Sequence, residues 1–445
     1  MRRRLLSSLL LLAAPRVAGA NPADTYGLGS RSTALGGAMS ASARDFSACY
    51  YNPSGLALAR GTDLTVGYAH VSHDLEMNGH DSQVDPAHGI VGGAVAPGSI
   101  ATLPFAFGIA THLSDERLSR ARSTRQDTPR WVFYDNRPQL LYLSAGLAIR
   151  PFPWLAVGGG ITWLAATQGR FGIRGTAVLP SGSRTEYDSR LEHEVDADLT
   201  SVRYPQAGVT ISPNRDLDLA VVYRGEAEIA LAIDAELQGN IDATLLEVPA
   251  RYTLTSHTTN AFIPQQVVVG GAYQITPELR ASVDLTWLDW SAYESPASRS
   301  RTVLEADVPA GFELPENPKP TEVRDPGFED RIVPRLGLEY QLEAARDLKI
   351  PLRVGYFYEH SPVPPQSGVT NFVDANRHAF SMGSGFVLEE PGEVLPGDLR
   401  FDMHAQVSLL PTRVTLKDSA ADYVGDYRAR GTIFNLGAAV SVGFR

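Results

Sequence analysis

Between Leu399 and Leu409 the chain alternates without a break: Leu399, Phe401, Met403, Ala405, Val407 and Leu409 fall on one face, Arg400, Asp402, His404, Gln406 and Ser408 on the other. Successive side chains of a strand point to opposite faces, so this segment has one apolar and one polar side. The pattern recurs in segments of about ten residues, the length of a tilted membrane-crossing strand. Fourteen such segments are expected near 62–72, 88–97, 104–113, 138–150, 154–167, 198–212, 216–230, 262–275, 278–290, 330–341, 347–359, 376–388, 398–410 and 429–444. In the last of them Phe434, Leu436, Ala438, Val440, Val442 and Phe444 would meet lipid while Asn435, Gly437, Ala439, Ser441 and Gly443 face inward.

The connections sort into two kinds. Short ones fall at 151–153, 212–216, 276–277 and 343–347; long polar ones at 73–87, 114–137, 168–197, 231–261, 291–329, 360–375 and 411–428. Short turns at one end and long loops at the other are the arrangement of an outer-membrane β-barrel, with both termini on the periplasmic side. Closure also removes exposed strand edges and satisfies every backbone group within the bilayer.

The first twenty residues read as an export signal: Arg2, Arg3 and Arg4, an apolar core from Leu5 to Ala14, and Ala18-Gly19-Ala20 before the cut. No apolar stretch approaches the length of a membrane-spanning helix. The whole chain carries a net charge of −11; without the four leader arginines, 35 basic residues face 50 acidic ones. A chain this acidic has no broad basic face for nucleic acid. The lone Cys49 can form no internal disulfide. Three domains are expected: signal peptide 1–20, a small-residue-rich plug 21–61, and a barrel 62–445. No linker interrupts the barrel, since Pro and Gly are spread as turn markers.

These residues carry a resemblance. The runs Gly29–Ala38, Asp45–Ala48 and Tyr51–Leu56 are similar to the plug segment of the FadL/TodX family of outer-membrane transporters for long-chain fatty acids and aromatic hydrocarbons. Ile263–Tyr273 with Pro277, Asp284–Trp287, Trp290-Ser291, Phe328–Ile332, Leu336–Tyr340, Arg353–Tyr356, Ser361–Pro364, Asp374–His378 and Gly383–Gly385 follow in the family's order. One departure is Asn52-Pro53-Ser54, where the family usually has Asn-Pro-Ala. The resemblance implies a fourteen-stranded barrel with an N-terminal hatch. Hydrophobic compounds, long-chain fatty acids foremost, would be captured by the outer loops and leave sideways into the membrane at a kinked third strand, without ATP, cofactor or covalent step. The alternatives are a structural or adhesive barrel, or an outer-membrane lipase.

The candidate site residues follow. Asn52, Pro53, Ser54 and Gly55 form the hatch motif, a turn sequence in its own right. Gly108 interrupts the short third strand, where glycine often marks a kink or bulge, or else only relieves crowding against the hatch; in the first case Phe105 or Phe107 would face the ligand path beside it. A band of inward polar side chains contains Arg280, Asp284, Arg331, Arg335, Glu339, Arg353, Glu359, Arg400, Asp402 and His404. Arg280, Asp284, Arg335, Arg353 and Arg400 are the leading candidates there, and one or two of the cations would meet a substrate carboxylate. The arginines of 114–137 suit lipopolysaccharide phosphates, whereas the acidic run 184–198 fits no calcium-loop spacing. His70 and His73 fall on opposite strand faces, so no metal site is expected among His70, His73, His80 and His88. No nucleophile motif frames any serine, and the early glycines follow no phosphate-binding pattern. Outer-membrane lipids and the barrel-assembly machinery are the expected partners of a monomer.

Overall fold

A computed structural model describes residues 22–116, 128–131, 133–135, 141–179, 190–243, 246–293, 299–306, 317, 327–368, 370–389, 397–417, 422 and 424–444. The expected signal peptide, most of the arginine-rich loop and the 184–189 part of the acidic run lie outside the described residues.

Fourteen strands close into one antiparallel ring. In chain order they are β1 (Thr62–Met77), β2 (Ala87–Ile100), β3 (Leu103–Ser114), β4 (Tyr142–Phe152), β5 (Leu155–Leu179), β6 (Arg190–Ile211) and β7 (Leu217–Arg224). The second half supplies β8 (Gln266–Gln274), β9 (Leu279–Leu288), β10 (Arg331–Ala345), β11 (Leu348–Glu359), β12 (Arg377–Leu388), β13 (Leu399–Thr415) and β14 (Tyr427–Phe444). Each pairs with its sequence neighbour in the ring, and β14 returns to β1 through sixteen consecutive pairs from Thr62↔Phe444 to Met77↔Ala429. Every expected strand is present. Period-two patterning decides which face meets lipid: Leu64, Val66 and Tyr68 of β1 are exposed outside, while Asp63 and Thr65 are buried inside. In β13 the polar His404, Gln406 and Ser408 are likewise the buried set. Among the described residues no helix is long and apolar enough to cross a membrane.

Two expected loops turn out to be sheet. β5 and β6 run on well past the expected ends at 167 and 198, pairing out to Thr176↔Arg190. A hairpin of Ala227–Ala243 and Leu246–Ile263 stands beside them, its first strand parallel to β5 and its second paired with Arg299–Ala306. The alternation runs on into these segments, with Ile229, Leu231, Ile233, Ala235 and Leu237 set against Glu228, Ala230, Ala232, Asp234 and Glu236, so the period-two rule marks strand here as it does in the ring.

Residues 22–59 lie within the ring. They form α1 (Pro22–Tyr26), α2 (Ser30–Ala34), α3 (Ala48–Tyr51) and a 3-10 turn over Pro53–Leu58. The wall makes room for them with inward glycines. A Cβ on Gly108 (β3) would come within 2.5 Å of Leu56, one on Gly158 (β5) within 2.4 Å of the backbone at Pro53 and Ser54, and one on Gly208 (β6) within 2.0 Å of Asn52 Oδ1. Across the lumen, Gly337, Gly355 and Gly383 of β10, β11 and β12 accept Leu35, Gly36 and Ala34 in the same way. Contacts to both sides of the ring put the segment inside it.

Candidate functional site: a roofed cavity in the lumen

Ion pairs and hydrogen bonds fix the N-terminal segment to the wall. Asp284 of β9 accepts the Met39 and Ser40 backbone N–H groups at 2.9 Å each and the Ser40 hydroxyl at 2.6 Å. Arg31 of α2 grips Glu339 of β10 through Nε and Nη2 at 3.0 and 3.1 Å, a two-point contact that fixes orientation as well as distance. Arg353 closes on the same Glu339 at 2.6 Å and on Asp402 at 2.5 Å. Arg280 and Arg44 share Asp218, at 2.6 and 2.7 Å. Arg400 pairs with Asp63 across the β13–β14–β1 seam.

The hatch motif is more than a turn. Asn52 donates to Ser40 O at 2.6 Å and to Thr210 Oγ1 at 2.9 Å, while its Oδ1 accepts the Ser54 N–H and hydroxyl at 3.1 and 2.7 Å. A Cβ at Gly55 would lie 2.1 Å from Ala43 O, so that position admits no side chain. The motif docks on β5 and β6; it is Leu56, just beyond it, that covers Gly108.

The third strand differs from expectation. Gly108 pairs without a break with Val95 on one side and Gly146 on the other, so the wall is continuous there and shows no kink in the ladder. Strand parity sends Ala106, Gly108, Ala110 and His112 inward and leaves Phe107 47% exposed on the outer surface, with Phe105 half-exposed on that same face. Neither phenylalanine faces the lumen. Gly108 is needed because Leu56 and Cys49 occupy the space a side chain would take.

Above the segment lies a cavity. Tyr26, Tyr50 and Tyr51 floor it, strands β7 to β12 supply its sides, and loop residues roof it. The roof is aromatic: Phe133, Tyr134 and Trp290 line the cavity, Phe133 edge-on to Trp290 at 4.8 Å, and behind them Tyr293 lies 4.4 Å from Phe328 and Phe328 5.8 Å from Phe372. These rings come from segments far apart in sequence, which is why no local pattern revealed them. Of the five leading polar candidates, Asp284 and Arg335 line this cavity. Arg335 donates to Gly36 O at 3.1 Å and lies over the Phe357 ring at 4.4 Å. Arg280, Arg353 and Arg400 do not line it; they serve the ion pairs described above.

Arg331 and Glu359 of the expected inward band also line the cavity, together with Arg224, Arg377 and Asp374, which that band did not include. Arg224 ends β7 on the inward parity and donates to Tyr50 O at 3.0 Å and to Gln266 at 2.6 Å. Arg377 begins β12, and with Arg331 it converges on Glu359, at 2.6 and 2.8 Å. Asp374, in the loop before β12, is buried among them. A smaller cavity adjoins it toward β1, β2 and β14, with Tyr26, Gly27 and Thr33 lining both. The histidines separate by parity: His73 bonds Tyr26 Oη at 2.6 Å, whereas His70 stacks on His88 outside. Among the described residues no three metal-type side chains cluster.

Burial pushes the Asp374 carboxyl up to about 6, and nearby Glu359 adds to the rise; the Ser361 hydroxyl and Arg331 pull the other way. A carboxyl whose folded pKa exceeds its unfolded value of about 4 holds its proton more tightly when folded, so stability rises as pH falls through 6. Hydrogen exchange over 360–376 is therefore expected to slow between pH 7.5 and 5, after correction for intrinsic rates. Asp374→Asn abolishes most of that change, which is worth about 1.4 kcal/mol over this interval. An unaltered pH dependence in the variant would place the titrating group elsewhere.

A fourteen-stranded ring holding its own N-terminal segment beneath a ring-lined cavity defines a transport barrel of the outer membrane. The chain belongs to the outer membrane protein transport protein (OMPP1/FadL/TodX) family, whose model matches residues 139–441. It is similar to alkane uptake protein A of Marinobacter nauticus, with 22% identity over 426 residues covering 91% of this chain and 87% of the relative. Among solved structures it resembles a Pseudomonas aeruginosa FadL homologue, with 12% identity, 94% and 98% coverage and a TM-score of 0.58. It also resembles the P. putida toluene transporter TodX, with 14% identity, 95% and 100% coverage and a TM-score of 0.51. At such identities the structural likeness speaks for the fold alone. The protein is an outer-membrane transporter of hydrophobic compounds, and not an enzyme.

Proposed function

We propose that this barrel carries a long-chain fatty acid or a hydrocarbon inward by passive, staged transfer. The observation that carries the reading is the cavity itself, aromatic above and floored by the N-terminal segment. A compound captured among the loop rings would pass into the cavity and, with the axial way filled, leave sideways through the wall into the membrane. Tyr26, shared with the smaller cavity, stands at the step between the two. In this reading residues 22–59 are the hatch, the short turns and both termini face the periplasm, and lipopolysaccharide surrounds the loops of a monomer inserted by the barrel-assembly machinery.

Uptake of labelled palmitate and hexadecane by cells with and without the protein tests the reading. The double variant Phe133→Ala, Trp290→Ala is expected to slow uptake roughly tenfold, because both rings line the cavity and buried aromatic anchors carry a disproportionate share of ligand contact. Full uptake by the variant would remove the roof from the route. No acceleration of either compound by the wild-type barrel would favour a structural or adhesive role.

A further inference from the structure

We propose that Glu359 makes the cavity selective for uncharged hydrophobic compounds and turns carboxylates away, an inference that rests on the transport reading above. The cavity is lined by four arginines and four carboxylates, so at neutral pH its formal charges cancel. The cancellation is local as well as formal. One oxygen of Glu359 takes Arg331 Nη2 at 2.8 Å and the other takes Arg377 Nη2 at 2.6 Å. Arg377 spends a further N–H on Thr25 O at 3.0 Å. Arg335 lies close enough to act electrostatically on both Glu359 and Asp284, and Arg224 is committed to Tyr50 O, Tyr51 O and Gln266.

Each guanidinium also lies against a ring: Arg331 over Trp290 at 5.0 Å, Arg377 over Phe357 at 4.8 Å, and Arg224 over Tyr50 at 4.2 Å. The surface offered to a ligand is therefore aromatic, backed by charge that is already matched. An incoming carboxylate would surrender its hydration and find no unmatched cation to replace it, a cost that an alkane or arene does not meet. The Nε atoms of Arg331 and Arg377 make no hydrogen bond in the structure. They are spare donors without spare charge. Removing the Glu359 charge leaves two buried cations short of an anion, and a ligand carboxylate is then the group that best restores the balance.

The test is scintillation-proximity binding to the purified full chain in detergent at pH 8, against a micelle blank, with labelled hexadecane and palmitate at equal free concentration. Wild type is expected to favour hexadecane by about tenfold, and Glu359→Gln to shift the ratio toward palmitate by about tenfold, equivalent to about 1.4 kcal/mol. The double variant Arg331→Gln, Glu359→Gln restores charge balance and should return the preference to hexadecane, an outcome that a purely structural role for Glu359 does not give. Equal or better palmitate binding by wild type, or an unchanged ratio in Glu359→Gln, overturns the selectivity while leaving hydrophobic transport intact. If Glu359→Gln fails to fold, as judged by its heat-modifiable gel mobility, the wild-type and double-variant ratios decide. Binding of neither compound by wild type overturns the cavity as the ligand site altogether.

Discussion

A chain lacking residues 22–59 is expected to insert as a folded barrel and to conduct ions in planar bilayers at least about tenfold better than the full mature chain, because the lumen of a barrel this size is otherwise an aqueous pore. The wall owes its closure to strand pairing alone: the β1–β14 seam and the ladders on either side of β3 run without interruption. The deletion costs Asp284 three donors and Glu339 one of its two arginines, yet Glu339 keeps Arg353, and Arg353 keeps Asp402. Heat-modifiable mobility should persist at a lowered transition temperature. Conductance that stays at the full-length level would show that the aromatic roof, and not the floor, seals the lumen.

Gly158→Leu should reach a similar end point with a single side chain. A Cβ there already falls within 2.4 Å of the Pro53 carbonyl carbon and the Ser54 nitrogen, backbone atoms that have no rotamer to change. Overpacking of this kind costs about 1–3 kcal/mol and more where backbone must move, so the 52–56 turn should leave its dock on β5 and β6. Gly159→Leu is the control, since Gly159 faces outward and its Cβ would find only Gln206 O, at 3.7 Å. Conductance and protease sensitivity of the hatch motif should rise in the first variant and stay unchanged in the second. Equal behaviour of the two would mean that the glycine does not shape the contact.

The barrel was legible because a bilayer imposes a rule each strand must obey alone. The β13 alternation from Leu399 to Leu409 states inside and outside residue by residue, and the short turns give strand order. Parity also placed Arg280, Asp284, Arg335, Arg353 and Arg400 inside, where the structure has them. What parity leaves open is partnership. Whether an inward arginine faces a ligand or a glutamate depends on register between strands distant in sequence, as with Arg331 and Arg377 meeting at Glu359. The aromatic roof was hidden for the same reason, with Phe133, Trp290 and Phe372 drawn from three separate connections. At Gly108 the sequence left two readings, a kink or room for the N-terminal segment, and the second holds, since Leu56 fills the space.

The inward glycines also dictate an order of events in biogenesis. The segment they receive precedes all the barrel strands in the chain, but its helices run to only four or five residues, far below what holds together unaided in water. Its moulds on β10, β11 and β12 lie some three hundred residues downstream. Residues 22–59 are therefore expected to fold only after those strands have paired around them. They take their shape as a casting does, only once the mould exists around them.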